Sequence, residues 1–249
     1  MRTDFVQVTY ELHFQTPFHF GTGFRKGMVH RSISRAPDGF LYVPGSTFKG
    51  VVRERCEQLA RLFELGTHEP HSGLTTGAKQ PKGNLSRNIL AEFSPRQTIV
   101  NRIFGSRRRP SQLYFDDALM FEEDKTLFTG LLEKQVQTRT QVSMSRRTGT
   151  AKQGALYTSE YGQRLRFTGM VNGFIKGYDF LGESDGSYSL LLLLMGISIV
   201  DRLGGQKSGG AGLVDCRITG LSINDVVQQP NDWFEELEYL EFYREEQDA

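Results

Sequence analysis

Two short stretches carry residues whose types and spacing suit phosphate chemistry. The first is Gly204-Gly205-Gln206-Lys207-Ser208-Gly209-Gly210-Ala211-Gly212, in which five of nine residues are glycine. Glycines let backbone N–H groups approach an anion closely and adopt the alternating conformations that gather several N–H groups on one side. Lys207 and Ser208 add a cation and a hydroxyl. Gln206, not glycine, stands immediately before Lys207-Ser208, and the loop runs from a helix-like to a strand-like stretch, so it is neither a Walker loop nor a dinucleotide fingerprint. The second stretch is PGSTFKGVVR, residues 44–53. Ser46 is placed to cap a helix there, with Lys49 and Arg53 four residues apart on a face distinct from the apolar one. A helix N-terminus beside two cations suits a phosphate.

Groups for acid–base or metal chemistry are sparse. The histidines are His13, His19, His30, His68 and His71. Pro70 argues against a helix presenting His68 and His71 together, and no CxxC or HExxH occurs, so no zinc site is expected. His30 sits in a basic loop, where a general acid or base for RNA cleavage could stand. Asp116-Asp117 could hold Mg²⁺, but an acidic pair at a strand end reads first as a turn or cap. Cys56 and Cys216 form no disulfide framework, which suggests a reduced, cytoplasmic compartment.

The elements that must position these groups follow from periodicity. Val6, Val8, Tyr10, Leu12 and Phe14 alternate, as in a strand with one buried face. Phe48, Val51, Val52, Cys56, Leu59 and Leu62-Phe63 recur at helical spacing and predict a helix to about residue 64. Residues 66–98 lack apolar periodicity and read as an insertion. Leu113, Phe115 and Ala118 to Phe121 suggest a strand ending near Asp116-Asp117. Residues 135–160 are polar, basic and rich in Thr, Val and Tyr, which fits a protruding hairpin. Leu165 to Ile175 predict a strand, Ser187 to Leu203 a helix buried on most sides, and Leu213 to Ile223 a final strand. The order is that of a ferredoxin-like or RRM-like βαββαβ unit, an α+β fold, enlarged by insertions. It would occupy residues 1–231, with an acidic tail or helix over 232–249.

The chain has 249 residues and a formal charge of only +1, but the charge is unevenly placed. The last 18 residues hold eight acids and one base, leaving 29 bases and 21 acids in residues 1–231, so the body carries +8 and the tail −7. A basic body suggests a polyanion. Arginines cluster at Arg25/Lys26/Arg31/Arg35, Arg102/Arg107/Arg108/Arg109 and Arg139/Arg146/Arg147/Lys152, with Phe24, Met28, Phe104, Met144 and Tyr157 among or near them. Cations interleaved with aromatics suit single-stranded nucleic acid. No apolar run approaches the roughly 20 residues needed to span a bilayer, and no secretory h-region is visible, so no membrane partner is expected.

Five segments in order resemble the RAMP superfamily of CRISPR-associated proteins. Tyr42-Val-Pro-Gly-Ser-Thr-Phe-Lys-Gly-Val-Val-Arg53 is similar to its (I/V)PGSSLKGxxR signature. Thr16-Pro-Phe-His-Phe-Gly-Thr-Gly23 resembles its sPlhiGsG segment, and Phe104-Gly-Ser106 its FGs. Residues 146–157 with Glu160 resemble its R.TgtA..GaLy..E stretch, and the glycine loop its GG..s.G.G. Within that superfamily the chain resembles the backbone subunit of a type III effector complex. The resemblance implies an RRM-like palm, a thumb hairpin over 139–160, and CRISPR guide RNA, target RNA and other RAMP subunits as partners. It implies guide contacts from Ser46, Lys49, Arg53, Arg139, Arg146 and Arg147, and from Gly204, Gly205, Lys207, Ser208 and Gly209. Cutting members carry an aspartate in the loop before PGSxxKG. Aligning Arg35-Ala-Pro37 with the family's RDP puts His30 there, and no aspartate lies between Gly21 and Pro37. No cofactor is implied beyond Mg²⁺, and that only if the subunit cleaves. Two other readings stand beside this one: a metal-independent guide-processing endoribonuclease using His30 or His19, and a generic RRM-like RNA binder. The second is disfavoured by the lack of an RNP1 aromatic motif.

Overall fold

The computed structural model describes residues 2–25, 27, 29–63, 65, 98–105, 110–177, 187–237 and 240. Residues 66–97 of the insertion expected over 66–98, together with Lys26, Met28, His68, His71, Arg107 to Arg109 and the end of the acidic tail, lie outside them.

The alternating N-terminal stretch forms β1 (Arg2–Phe14), the central strand of a seven-stranded sheet. It pairs antiparallel with β7 (Arg166–Gly177) on one side and β8 (Val214–Ile223) on the other. Beyond β7 lie β3 (Leu113–Phe115) and β4 (Ala118–Met120), end to end along the same strand. They are one strand broken at Asp116-Asp117, and β2 (Tyr42–Val43) pairs with β4. A short β9 (Val226–Gln228), absent from the sequence expectation, turns back on β8 through Asn224 and Asp225, both at positive φ. β1 and β8 shift register at Thr9/Tyr10, a bulge in the middle of the sheet.

Val6, Val8, Tyr10 and Leu12 are fully buried on the face covered by two helices. The first, α1 (Gly45–Leu62), buries Phe48, Val51, Val52, Cys56 and Ala60. Phe48 stacks on Tyr10 with centroids 4.1 Å apart. The helix ends a turn earlier in packing terms than the pattern suggested: Leu62 is 74% exposed, and the chain leaves through Phe63. Short α2 (Ile99–Phe104) and α3 (Glu122–Phe128) follow. The apolar helix α4 spans Tyr188–Ser198, capped by Ser187, whose hydroxyl accepts the Leu190 N–H. Val200 and Leu203, expected within it, are buried in the extended segment beyond its end. Leu190 to Leu194 are all buried, since α4 lies among the sheet, α1, α2 and α5 (Pro230–Glu235). Burying each such leucine contributes about 1.5–3 kcal/mol. α1 and α4 touch at Gly196, where a Cβ would stand 2.2 Å from Cys56 Sγ.

The order β1-α1-(β3,β4)-β7-α4-β8, with antiparallel strands and helices on one face, is the ferredoxin-like arrangement. The boundary expected at residue 231 falls inside α5. Trp233 and Leu240 are buried in the same core as the rest, so the start of the acidic segment belongs to the domain. Outside the sheet, β5 (Val136–Met144) and β6 (Ala151–Gly162) form a separate two-stranded hairpin. No helix among the described residues is long and apolar enough to cross a membrane.

Candidate nucleic-acid interface

The base of the hairpin is joined to the palm by the segment that follows β1. Phe18 and Gly162 exchange backbone hydrogen bonds, at 3.2 Å from the Phe18 N–H and 2.8 Å from the Gly162 N–H. A Cβ on Gly162 would stand 2.3 Å from the Phe18 ring, so any side chain here displaces that ring. Phe18 is itself set among Phe14, Phe20 and Phe167. Further along, residues 30–33 lie beside β6 as an irregular third strand. His30 N–H and Arg31 N–H donate to the Thr158 carbonyl, and Glu160 N–H donates to that of Arg31. The buried Glu160 carboxylate accepts the Ile33 N–H at 2.9 Å and faces Arg35 at 3.5 Å.

His19 links three parts of this region. Its Nδ1 bonds the Glu160 carbonyl at 2.7 Å, its ring lies 5.8 Å from that of Tyr161, and its own carbonyl accepts the Gly205 N–H at 2.9 Å. Arg139 also lies over Tyr161, with its guanidinium carbon 4.9 Å from the ring centroid. Arg139, Gly204 and Gly205 therefore meet around Tyr161 and His19. Gly204 has φ 91°, and a Cβ there would lie 2.7 Å from the His19 carbonyl oxygen. Gly212 N–H donates to the Pro17 carbonyl. Between these anchors, left-handed Gln206 is followed by a 3₁₀ turn over Lys207–Gly209 and by left-handed Gly210. Gly209 N–H and Gly210 N–H donate back to the Gln206 and Lys207 carbonyls, so the anion-binding capacity of the turn rests on the N–H groups of Gln206, Lys207 and Ser208 and on the Lys207 and Ser208 side chains. Ser208, Gly209 and Gly210 are exposed and Lys207 half-buried.

Lys49, Arg53 and Ser46 form a second group on α1. Ser46 is exposed in the first turn and does not cap it. Pro44 holds the cap position with no side-chain bond, and Asp117 Oδ1 accepts the Gly45 N–H at 2.8 Å instead. Half-buried Lys49 lies 5.6 Å from the Phe115 centroid, and its ammonium is held below the usual lysine range by burial and then by Arg53. Arg53 is spent on internal bonds: Nε to Glu57 at 2.9 Å, and its two terminal nitrogens to the Gly105 carbonyl and Asn101 Oδ1, each at 3.1 Å. It ties α1 to the end of α2. Arg146 and Arg147 stand exposed in the turn at the far end of the hairpin.

His30 is part of the framework. Its Nδ1 accepts the Thr158 N–H at 3.2 Å. A nitrogen that accepts carries no proton, so in neutral His30 the proton is on Nε2. Asp116 Oδ2 accepts from Asn172, and Asp38 accepts the Phe40 N–H within its turn. Asp117 takes the capping role. No cluster of metal-ligating side chains occurs among the described residues.

Sequence reasoning missed two features of this region. One is the pairing of the 30–33 segment with β6, which no local pattern encodes. The other is His19, whose spacing gives no sign that it faces the glycine loop.

The model of the RAMP superfamily matches residues 11–215, and the chain belongs to that superfamily. No curated protein matches it in sequence. Among solved structures, a chain of the cryo-EM structure of the Type III-B Cmr-beta bound to cognate target RNA is similar. The TM-score is 0.51 at 12% identity, covering 85% of this chain and 96% of that one. At that identity the likeness is one of fold.

Proposed function

We propose that this protein is a guide (CRISPR) RNA-binding backbone subunit of a cytoplasmic type III CRISPR effector complex, working with other RAMP subunits and target RNA in antiviral defence. Superfamily membership and the fold shared with a chain of a Cmr-beta assembly support the setting. The observation that carries the reading is the junction at His19, where the base of a basic hairpin and the glycine loop meet on one palm.

In this reading Arg139, Lys207, Ser208 and the N–H groups of Gln206 to Ser208 hold guide phosphates near the junction, on a loop shaped by Gly204, Gly205 and Gly209, the last two of which spend their own N–H groups on the His19 and Gln206 carbonyls. Lys49 holds one beside the start of α1, with exposed Ser46 and then Arg53 near it on the same helix. Arg146 and Arg147 reach a more distant part of the strand. His30 donates through Nε2. Each phosphate neutralised releases counterions, so binding weakens steeply with salt. Titrating labelled guide RNA at several salt concentrations tests this. Tight binding with a slope of several charges is expected, and weak binding that ignores salt overturns it.

One observation favours a second reading, metal-independent RNA cleavage. In neutral His19 the Nδ1 proton is committed to the Glu160 carbonyl, so Nε2 carries the lone pair, and it lies where Gly21 leaves room: a Cβ there would be 2.8 Å from Nε2. Specific cutting of repeat RNA in EDTA, lost in His19→Ala, supports that reading. Intact RNA counts against it.

A further inference from the structure

We propose that Phe24 is a stacking platform for one unpaired RNA base, set beside the phosphate-binding surface. This rests on the RNA-binding reading above and adds a contact to the base itself.

Phe24 is 77% exposed, whereas Phe14, Phe18 and Phe20 in the same stretch of chain are buried in the core. Its ring adds nothing to that core, yet its backbone is firmly held. Phe24 N–H donates to Thr22 Oγ1 at 3.1 Å, and the Ser32 hydroxyl donates to the Phe24 carbonyl at 2.9 Å. The Thr22 and Ser32 hydroxyls are 2.8 Å apart, and Thr22 N–H donates to the Ser32 carbonyl at 3.1 Å. Gly23, at φ 78°, makes the turn possible. The ring is thus presented from a fixed turn, which keeps the entropy lost on stacking small.

The position of that turn points to RNA. Ser32 follows Arg31, whose guanidinium carbon lies 5.3 Å from the Tyr157 centroid and whose carbonyl takes the Glu160 N–H. The turn is therefore fastened to the base of the hairpin. Residues 21–35 contain Arg25, Lys26, Arg31 and Arg35 and no carboxylate. Arg35 is paired with Glu160, which leaves Arg25, next in sequence to the ring, and Arg31, behind the turn, to take the phosphates flanking a base stacked on Phe24. Phenylalanine has no hydrogen-bonding edge, so the platform would accept any base.

The test compares full-length wild type, Phe24→Ala and Phe24→Trp on two fluorescein-labelled probes, oligoadenylate and a strand of the same length with abasic ribose phosphates. Phe24→Ala is expected to weaken oligoadenylate binding about 5- to 100-fold while the salt slope stays the same. Phe24→Trp is expected to keep the affinity, and the abasic strand to bind all three proteins equally. Thermal melting checks that the exposed substitution leaves folding intact. Equal oligoadenylate affinity for wild type and Phe24→Ala overturns the stacking role alone. If Phe24→Ala keeps RNA affinity and loses association between copies, the ring is a protein contact and the proposal fails. If wild type binds neither probe, the RNA reading itself fails.

Discussion

Asp117 accepts the N–H of Gly45 at 2.8 Å across 72 residues of sequence, and so caps α1 from the break between β3 and β4. The bond fixes the start of the helix that carries Lys49 to the strand beneath it. Gly45 sits so close to that break that a Cβ on it would lie 2.1 Å from the Phe115 carbonyl oxygen. Losing a helix cap costs about 0.5–2 kcal/mol. Asp117→Ala is expected to lower unfolding free energy by that amount in urea titration. Ser46→Ala, at the residue whose type suggests the cap, is expected to be neutral within about 0.5 kcal/mol.

Gly162 and Gly50 are expected to respond oppositely to alanine. At Gly162 the new methyl meets the ring of Phe18, buried among three other aromatics, and overpacking of this kind costs about 1–3 kcal/mol. Hydrogen exchange is expected to show lost protection along β6 and at residues 30–33. Gly50 is exposed within α1 with nothing within 4 Å of its added Cβ. Gly50→Ala is expected to stabilise by about 0.5–1 kcal/mol, read from the same urea titration.

Lys49 and Arg53 are expected to separate in binding experiments. Lys49→Ala removes one phosphate contact and is expected to reduce the salt slope for single-stranded RNA by about 0.7. Arg53→Ala removes the bonds to Glu57, Asn101 and Gly105. It is expected to lower the melting temperature while leaving a smaller change in slope than Lys49→Ala.

The two thiols are expected to be inert in the folded protein. Burial, with Asp215 nearby, pushes the Cys216 thiol up to about 12, and burial raises that of Cys56 still further. A raised thiol pKa leaves the protonated, unreactive form dominant well above neutral pH. Alkylation at pH 8, followed by mass spectrometry, is expected to label neither residue until denaturant is added.

Elements set by local pattern were legible in the sequence. The alternation from Val6 to Phe14 identifies β1, and the spacing of Phe48, Val51, Val52 and Cys56 identifies α1, because one neighbouring layer buries each. Features set by distant partners were not. The cap from Asp117 lies 72 residues away, and β9 exists only because β8 offers an edge. The i,i+4 spacing of Lys49 and Arg53 correctly places them on one face. It does not show that Glu57, one turn further, and Asn101, on another helix, take the guanidinium. The glycine composition of residues 204–212 marks a loop with special backbone, while its attachment to Pro17 and His19 is visible only in three dimensions.

The most direct test of the backbone role is native mass spectrometry of the full chain mixed with guide RNAs of increasing length. A backbone subunit is expected to add whole copies in steps as the RNA lengthens. A single copy on every RNA, or no complex at all, would contradict that role.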